Sequence, residues 1–200
     1  MLQLLSLSHL FHSKGVKNMS VRALMILAEG FEEIEALAVV DILRRGLVKV
    51  TLAALDFKLV DGAHDIMIKA DCLLETLPEF DYDMIILPGG SKGTDNLQDS
   101  ETVTNLIKRF DVEGKWIAAI CAAPRILDHI GLLKGKRATS YPESKAEMHH
   151  ATWVDEAVVV DGKIITSQGP ATALEFGYKL LEVLKPEHLE DIKKAMLFIR

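Results

Sequence analysis

Residues 115–127 constrain the fold of this chain more than any other stretch. Residues 116–120 form a short apolar run, Trp-Ile-Ala-Ala-Ile. A run of that length without polar alternation is the pattern of a strand buried on both faces, as inside a parallel sheet. Cys121 follows at once, then Ala122, Ala123 and Pro124, and residues 125–130 read as helix. Proline suits a first helical turn, where its missing N–H would have had no partner. Cys121 is therefore expected on a sharp strand-to-helix turn between small residues. That is the arrangement of a nucleophile elbow, with sulfur in place of a serine oxygen. At a helix N-terminus the macrodipole favours the thiolate, so the position predicts a lowered thiol pKa. The competing reading is an inert buried cysteine that closes a core strand.

The other segments repeat the strand-then-helix alternation. A buried strand is expected over 21–28. Glu29-Gly30 turns it into a helix over 31–45, closed by Gly46. A second strand covers 48–54. Asp61-Gly62 marks a turn, and 66–74 reads as extended, with an antiparallel excursion as one option. Residues 84–87 form a core strand that ends in Pro88-Gly89-Gly90, and 100–110 are helical. Residues 158–165 predict a hairpin with Asp161-Gly162 as its turn. Helices follow over 172–184 and from Pro186 to about Phe198. Alternation of this kind implies an α/β fold with a mostly parallel sheet.

With 200 residues, 49% of them hydrophobic, residues 20–200 are long enough for a single α/β domain with a sizeable core. The net charge is −6 and no basic patch stands out, which argues against nucleic acid as a partner. Cys72 and Cys121 are the only cysteines and have no metal spacing. That fits a reducing, cytoplasmic setting without a disulfide framework, metal or cofactor. No apolar run approaches the ~18 residues of a membrane span.

Residues 1–19 differ from the rest and are expected to form a poorly ordered extension. Lys14 and Lys17 follow the apolar part rather than precede it, unlike a secretory signal. No acidic residue occurs before Glu29, which leaves a mitochondrial presequence as the alternative, although no arginine occurs before Arg22.

Two further features carry chemistry. On a helical wheel Phe31, Val39 and Ile42 fall within ~40° of Glu35, so Glu35 sits inside an apolar stripe. A carboxylate there is costly unless it is protonated or paired. It reads either as an ion-paired structural residue or as an acid with a raised pKa. The same helix is apolar on its other side through Leu37, Val40 and Leu43, which suggests burial on two faces, by the sheet or by a second subunit. Pro88-Gly89-Gly90 ends a strand at the sheet edge where ligands of open α/β folds bind. Glycines there leave N–H groups open to an oxyanion. No histidine has an obvious place beside Cys121. His129 lies about two turns along the following helix, His149 and His150 have no assignable position, and His64 reads as a surface residue near a turn.

Four stretches together resemble the ThiJ/PfpI superfamily, in the branch of the parkinsonism-associated protein deglycase. They are Leu-Ala-Glu-Gly-Phe-Glu-Glu-Ile-Glu (27–35), Leu-Pro-Gly-Gly (87–90), Ala-Ala-Ile-Cys-Ala-Ala-Pro (118–124) and Thr-Ser-Gln-Gly-Pro-Ala-Thr (166–172). The resemblance implies a flavodoxin-like three-layer sandwich and a homodimer. It implies that Cys121 is an oxidation-sensitive nucleophile hydrogen-bonded to Glu35. It also implies an oxyanion pocket from the N–H groups of Gly90 and Ala122, with Gly89, Tyr141, Gly169 and Pro170 lining the site. Tyr141 stands where better-known members carry a histidine, and a phenol with a pKa near 10 is a poor base at neutral pH. Ala122 stands where the protease branch has a histidine, so a Cys-His protease pair is absent. The implied activity is a deglycase or glyoxalase acting on methylglyoxal or glyoxal, free or as adducts of protein or nucleotide. The alternative is a redox-sensing chaperone whose Cys121 oxidises to a sulfinate.

Overall fold

The computed structural model describes residues 20–78 and 81–198, and the expected extension over 1–19 lies outside them. In chain order the elements are β1 (Arg22–Leu27), α1 (Glu33–Arg45), β2 (Lys49–Ala54), β3 (Leu59–Asp61), β4 (Met67–Lys69), β5 (Cys72–Leu73) and β6 (Met84–Leu87). Then come α2 (Ser91–Asp99), α3 (Glu101–Val112), β7 (Trp116–Ile120), α4 (Pro124–His129), β8 (Arg137–Ala138) and β9 (Thr152–Trp153). β10 (Val158–Asp161), β11 (Ile164–Ser167), α5 (Ala173–Leu184) and α6 (Leu189–Ala195) complete the set. No helix among the described residues is long and apolar enough to cross a membrane.

Seven strands form one sheet in the order β10-β11-β7-β6-β1-β2-β5. Every pairing is parallel except that of β10 with β11. The continuous apolar runs noted in the sequence are the central strands, because helices cover both faces. Along β1, Ala23, Met25 and Leu27 face a core shared with α1 and α5. Leu24 and Ile26 face the opposite core, shared with α3 and α4. The result is the α/β sandwich with a mostly parallel sheet that the sequence implied.

Several local expectations are corrected. The hairpin between β10 and β11 pairs Asp161 with Ile164, so its two-residue turn is Gly162-Lys163, one position later than Asp-Gly. Gly162 supplies the positive φ of 61° at that turn, and Asp161 is left to accept the Arg137 N–H. The excursion over 66–74 divides. β4 pairs antiparallel with β3, whereas β5 joins the edge of the main sheet in parallel. The helix α2 was not expected, since its sequence Ser-Lys-Gly-Thr-Asp-Asn-Leu-Gln-Asp has little apolar periodicity. Only Gly93, Thr94 and Leu97 are buried there, and packing rather than propensity holds it. α1 is buried on the sheet side and against α5, while Ile34 and Leu37 stay exposed. Its second apolar face is thus covered mainly within the chain.

His149 and His150 acquire a structural explanation. Asp128, 1% exposed at the end of α4, accepts the backbone N–H groups of His149, His150 and Ala151 at 2.7, 3.1 and 2.9 Å. Its Oδ2 also lies 3.0 Å from His150 Nδ1. One buried carboxylate therefore fixes the 149–151 loop. Asp128→Ala would leave those donors without a partner, which should lower stability by about 2–4 kcal/mol. Urea denaturation measures this. Asp128→Asn, which keeps one acceptor, should lose less.

Candidate active site

β1, β6, β7 and β11 end side by side at the carboxyl edge of the sheet. From β1 the chain moves outward to β2 on one side and returns to β6 on the other, which is the switch point where open α/β sheets bind ligands. The turns after these strands bring together the residues singled out in the sequence.

Cys121 follows β7 directly and has φ of 64°, an uncommon left-handed conformation for a residue with a side chain. Two backbone bonds hold it there. Its N–H donates to Ser167 O at 2.9 Å, and its carbonyl accepts Tyr141 N–H at 2.8 Å. The Gly90 and Ala122 N–H groups lie near enough to the sulfur to lower its pKa. Gly89 N–H donates to Glu35 Oε2 at 2.8 Å, which draws α1 to the end of β6. Glycine is required at both positions. A Cβ on Gly89 would lie 2.5 Å from Cys121 Cβ and 2.6 Å from Glu35 Oε2. Gly90 has φ of 87°, and its Cβ would lie 2.2 Å from Gly30 O.

Glu35 is fully buried. Its Oε1 has no hydrogen-bond partner, yet the carboxyl is close enough to the Cys121 thiol for each to shift the titration of the other. Burial raises the Glu35 pKa from 4.5 to about 7, against the lowering effect of the bonds from Cys121 and Gly89. Burial, then the charge of Glu35 and its acceptor bond, push the Cys121 thiol up to about 12, although the Gly90 and Ala122 N–H groups lower it. The lowered thiol pKa expected from the sequence is therefore reversed. α4 starts only at Pro124 and has six residues, so its dipole is small beside desolvation and a neighbouring carboxylate. The terms that raise the thiol through Glu35 vanish when Glu35 carries the proton. Thiolate at Cys121 and charge at Glu35 are thus alternatives.

A cleft of about 880 Å³ opens above this pair. Cys121, Gly90, Ala122, Tyr141 and Pro170 line it. Glu35 and Gly89 stand behind its wall, packed against Cys121. Gly169 stands behind Tyr141, and its Cβ would be 3.4 Å from the Tyr141 ring and 4.0 Å from Glu35 Oε1. His129, His149 and His150 are not on the wall, whereas His64 is. The hairpin of β3 and β4 carries His64 there, pinned by Gly30 N–H to Asp61 O at 2.8 Å and by a bridge between Phe31 and Gly62. Arg125 also borders the cleft and pairs with Asp95 and with Glu147, the latter at 2.6 Å, while Lys92 pairs with Glu29. The sequence reads His64 only as a surface residue near a turn and does not single out Lys92 or Arg125, because which loops and helix ends share one cleft is set by the tertiary fold.

Among the described residues, Glu32, Glu33 and His64 bring their ligand atoms within 4.8 Å of one another. His64 Nδ1 and Glu33 Oε2 already satisfy each other at 2.9 Å, so the cluster is a hydrogen-bonded pair with Glu32 beside it. Burial alone would raise the Glu33 carboxyl, but the bonds from the His64 side chain and backbone outweigh it and hold Glu33 below the ordinary value. Burial raises Glu32.

Comparison with known proteins agrees with this geometry. Residues 21–183 match the model of the DJ-1/PfpI family. The chain is 40% identical over 183 residues to dj-1beta of Drosophila melanogaster, covering 90% of this chain and 98% of the relative. The crystal structure of that protein superposes with a TM-score of 0.87. DJ-1 homolog A of Arabidopsis thaliana is 39% identical over 181 residues, which are 88% of this chain but 46% of that longer protein. A protein named deglycase from Pyrococcus abyssi is 31% identical over 167 residues, covering 82% of this chain and all of the relative. A buried glutamate coupled to an elbow cysteine, beneath glycine N–H groups at the switch point of a parallel sheet, thus sits in a chain that belongs to the DJ-1/PfpI family.

Proposed function

We propose that this protein is a cysteine-dependent deglycase or glyoxalase-type enzyme that acts on methylglyoxal or glyoxal and their adducts. The observation that carries the reading is the buried Glu35 carboxyl set against Cys121, both within 2.6 Å of the space that a Cβ on Gly89 would fill, so that each shifts the titration of the other. Proton transfer from Cys121 to Glu35 gives a thiolate beside a neutral acid. The thiolate adds to the aldehyde carbon, and Gly90 and Ala122 N–H groups hold the developing oxyanion. Glu35 gives its proton to that oxyanion and, returned to carboxylate, removes the hydrogen from the same carbon and delivers it to the neighbouring carbonyl carbon, while the proton of the new hydroxyl passes to the oxygen of that neighbour. The aldehyde carbon is oxidised and its neighbour reduced, which leaves a thioester on Cys121. Water then releases lactate or glycolate. No external oxidant or cofactor is needed. The name of the Pyrococcus relative supports the same reading.

The charge around the cleft favours some adducts over others. Seven carboxylates line it, against one lysine and one arginine that are both already paired. An adduct on a lysine or arginine side chain meets attraction there, whereas a glycated nucleotide meets repulsion. Wild-type protein should therefore release lactate from a methylglyoxal adduct of an arginine peptide faster than from a nucleotide adduct, with the difference shrinking at high salt. Cys121→Ser should abolish both. Turnover of either adduct that persists in Cys121→Ser would contradict the reading. A wild-type protein that forms a Cys121 sulfinate without turnover would favour the redox-sensor alternative.

The role of Glu35 separates stability from chemistry. Its folded pKa of about 7 exceeds the ordinary 4.5, so the folded state keeps a proton that the unfolded state loses in that window. The stability it contributes is full below about 4.5 and lost as pH rises to about 7. Glu35→Gln should flatten the fall in Tm across this window and leave Tm at pH 7 equal or higher. It should lower the midpoint of Cys121 alkylation, since the repelling charge is gone, yet slow turnover on the order of a hundredfold for want of a proton carrier. Parallel midpoints and turnover in both proteins would remove the acid role.

The assembly we propose is a homodimer across the outer face of α1, where Ile34 is 58% and Leu37 38% exposed. Sedimentation velocity at micromolar concentration should show a species of twice the chain mass. The two free cysteines fit a reducing compartment such as the cytoplasm.

A further inference from the structure

The mechanism above leaves the release of product without a base. Tyr141 offers a phenol, which serves better as a hydrogen-bond donor than as a base. Glu35 lies behind the cleft wall, next to the sulfur, and serves the earlier proton transfer. His64 is the histidine that borders the cleft.

Its surroundings are those of a positioned imidazole. Glu33, with its side chain 4% exposed, directs both oxygens at this one residue. Oε1 accepts the His64 backbone N–H at 2.7 Å and Oε2 lies 2.9 Å from Nδ1. Gly62 makes this possible, since a Cβ there would lie 2.2 Å from Glu33 Oε1. A carboxylate on Nδ1 fixes the tautomer with its hydrogen on that atom and leaves the Nε2 lone pair free. The side chain is 66% exposed, so water in the cleft has access to the ring. A carboxylate that orients an exposed imidazole on the wall of a cleft is the arrangement that hydrolytic sites use to activate water.

We propose that His64 is the general base that activates water for release of the acyl product from Cys121, with Glu33 as its positioning residue. This rests on the covalent reading given above. Water oxygen attacks the thioester carbonyl as Nε2 takes the water's proton. The carbon–sulfur bond then breaks, sulfur leaves with the electron pair as thiolate, and the carboxylic acid departs. The proton on His64 returns to the thiolate or to solvent. Nothing is oxidised or reduced in this step.

The neutral ring is the active form. The hydrogen bond to Glu33, then the charges of Glu32 and Glu33, hold the His64 pKa above the ordinary 6.5, and Asp65 on the same loop acts in the same direction. Lys92, which borders the same cleft, is already paired with Glu29. Release should therefore rise with pH through a midpoint above 6.5.

A single-turnover reaction with methylglyoxal, followed by intact-protein mass spectrometry, separates formation of the Cys121 adduct from its release. In His64→Ala, adduct formation should match wild type, a lactoyl thioester should accumulate, and release should slow on the order of a hundredfold. Added imidazole should restore part of the rate. Glu33→Gln should move the midpoint of release down towards 6.5. Because Glu33 is buried and its variant could unsettle the loop, imidazole rescue of His64→Ala provides the independent test. Release in His64→Ala with the rate and pH profile of wild type would overturn the inference while leaving the covalent reading intact. Wild-type protein that forms no Cys121 adduct and turns over no substrate would overturn the covalent reading and this inference with it.

Discussion

The site depends on one interaction, the contact between a fully buried carboxyl and a half-buried thiol. Desolvation disfavours charge on both Glu35 and Cys121, and proximity disfavours charge on both at once. The pair is therefore reluctant to lose its second proton. In the reaction proposed here Cys121 is not kept as a standing thiolate; the thiolate forms when the carboxyl takes the proton, beside the Gly90 and Ala122 N–H groups that lower its cost. That differs from a cysteine activated by a helix dipole alone, where the thiolate exists before substrate arrives.

The fold supplies this contact at a cost in backbone freedom. Gly89 is squeezed between Cys121 and Glu35, and Gly90 turns with a positive φ against the carbonyl of Gly30. Cys121 adopts a left-handed conformation held by its N–H bond to the Ser167 carbonyl and by the Tyr141 N–H that its own carbonyl accepts. Side chains larger than hydrogen at 89 or 90 would push β6 away from β7 and from α1. The sheet core beneath is almost wholly apolar, so it absorbs the strain of these turns. Function and fold meet in a few ångströms at the end of three adjacent strands.

Much of this was legible in the sequence. The apolar runs at 22–27, 84–87 and 116–120 are buried strands because nothing but a sheet covered on both faces accommodates them. Glu35 stood out because one carboxylate interrupted an apolar helical stripe. The four motifs identified the family before any coordinate was known. What the sequence hid has a common cause. The pKa of Cys121 follows from desolvation, which is a property of packing rather than of position along the chain. His64 reaches the cleft only because β3 and β4 fold back over Phe31, and α2 is helical only because it packs beneath that turn. The shift of the β10–β11 turn by one residue reflects register, which the Asp-Gly signal does not set alone.

Whether Glu35 holds a proton near neutrality on behalf of Cys121 is open to direct measurement. Carbon-13 NMR of protein labelled at glutamate side-chain carboxyls, titrated from acid to alkaline pH, reads that proton directly. One buried carboxyl should titrate with a midpoint of about 7, be assigned to Glu35 by its loss in Glu35→Gln, and be displaced when Cys121 is replaced by serine. A Glu35 resonance that titrates near the ordinary 4.5 and ignores the substitution at Cys121 would contradict it.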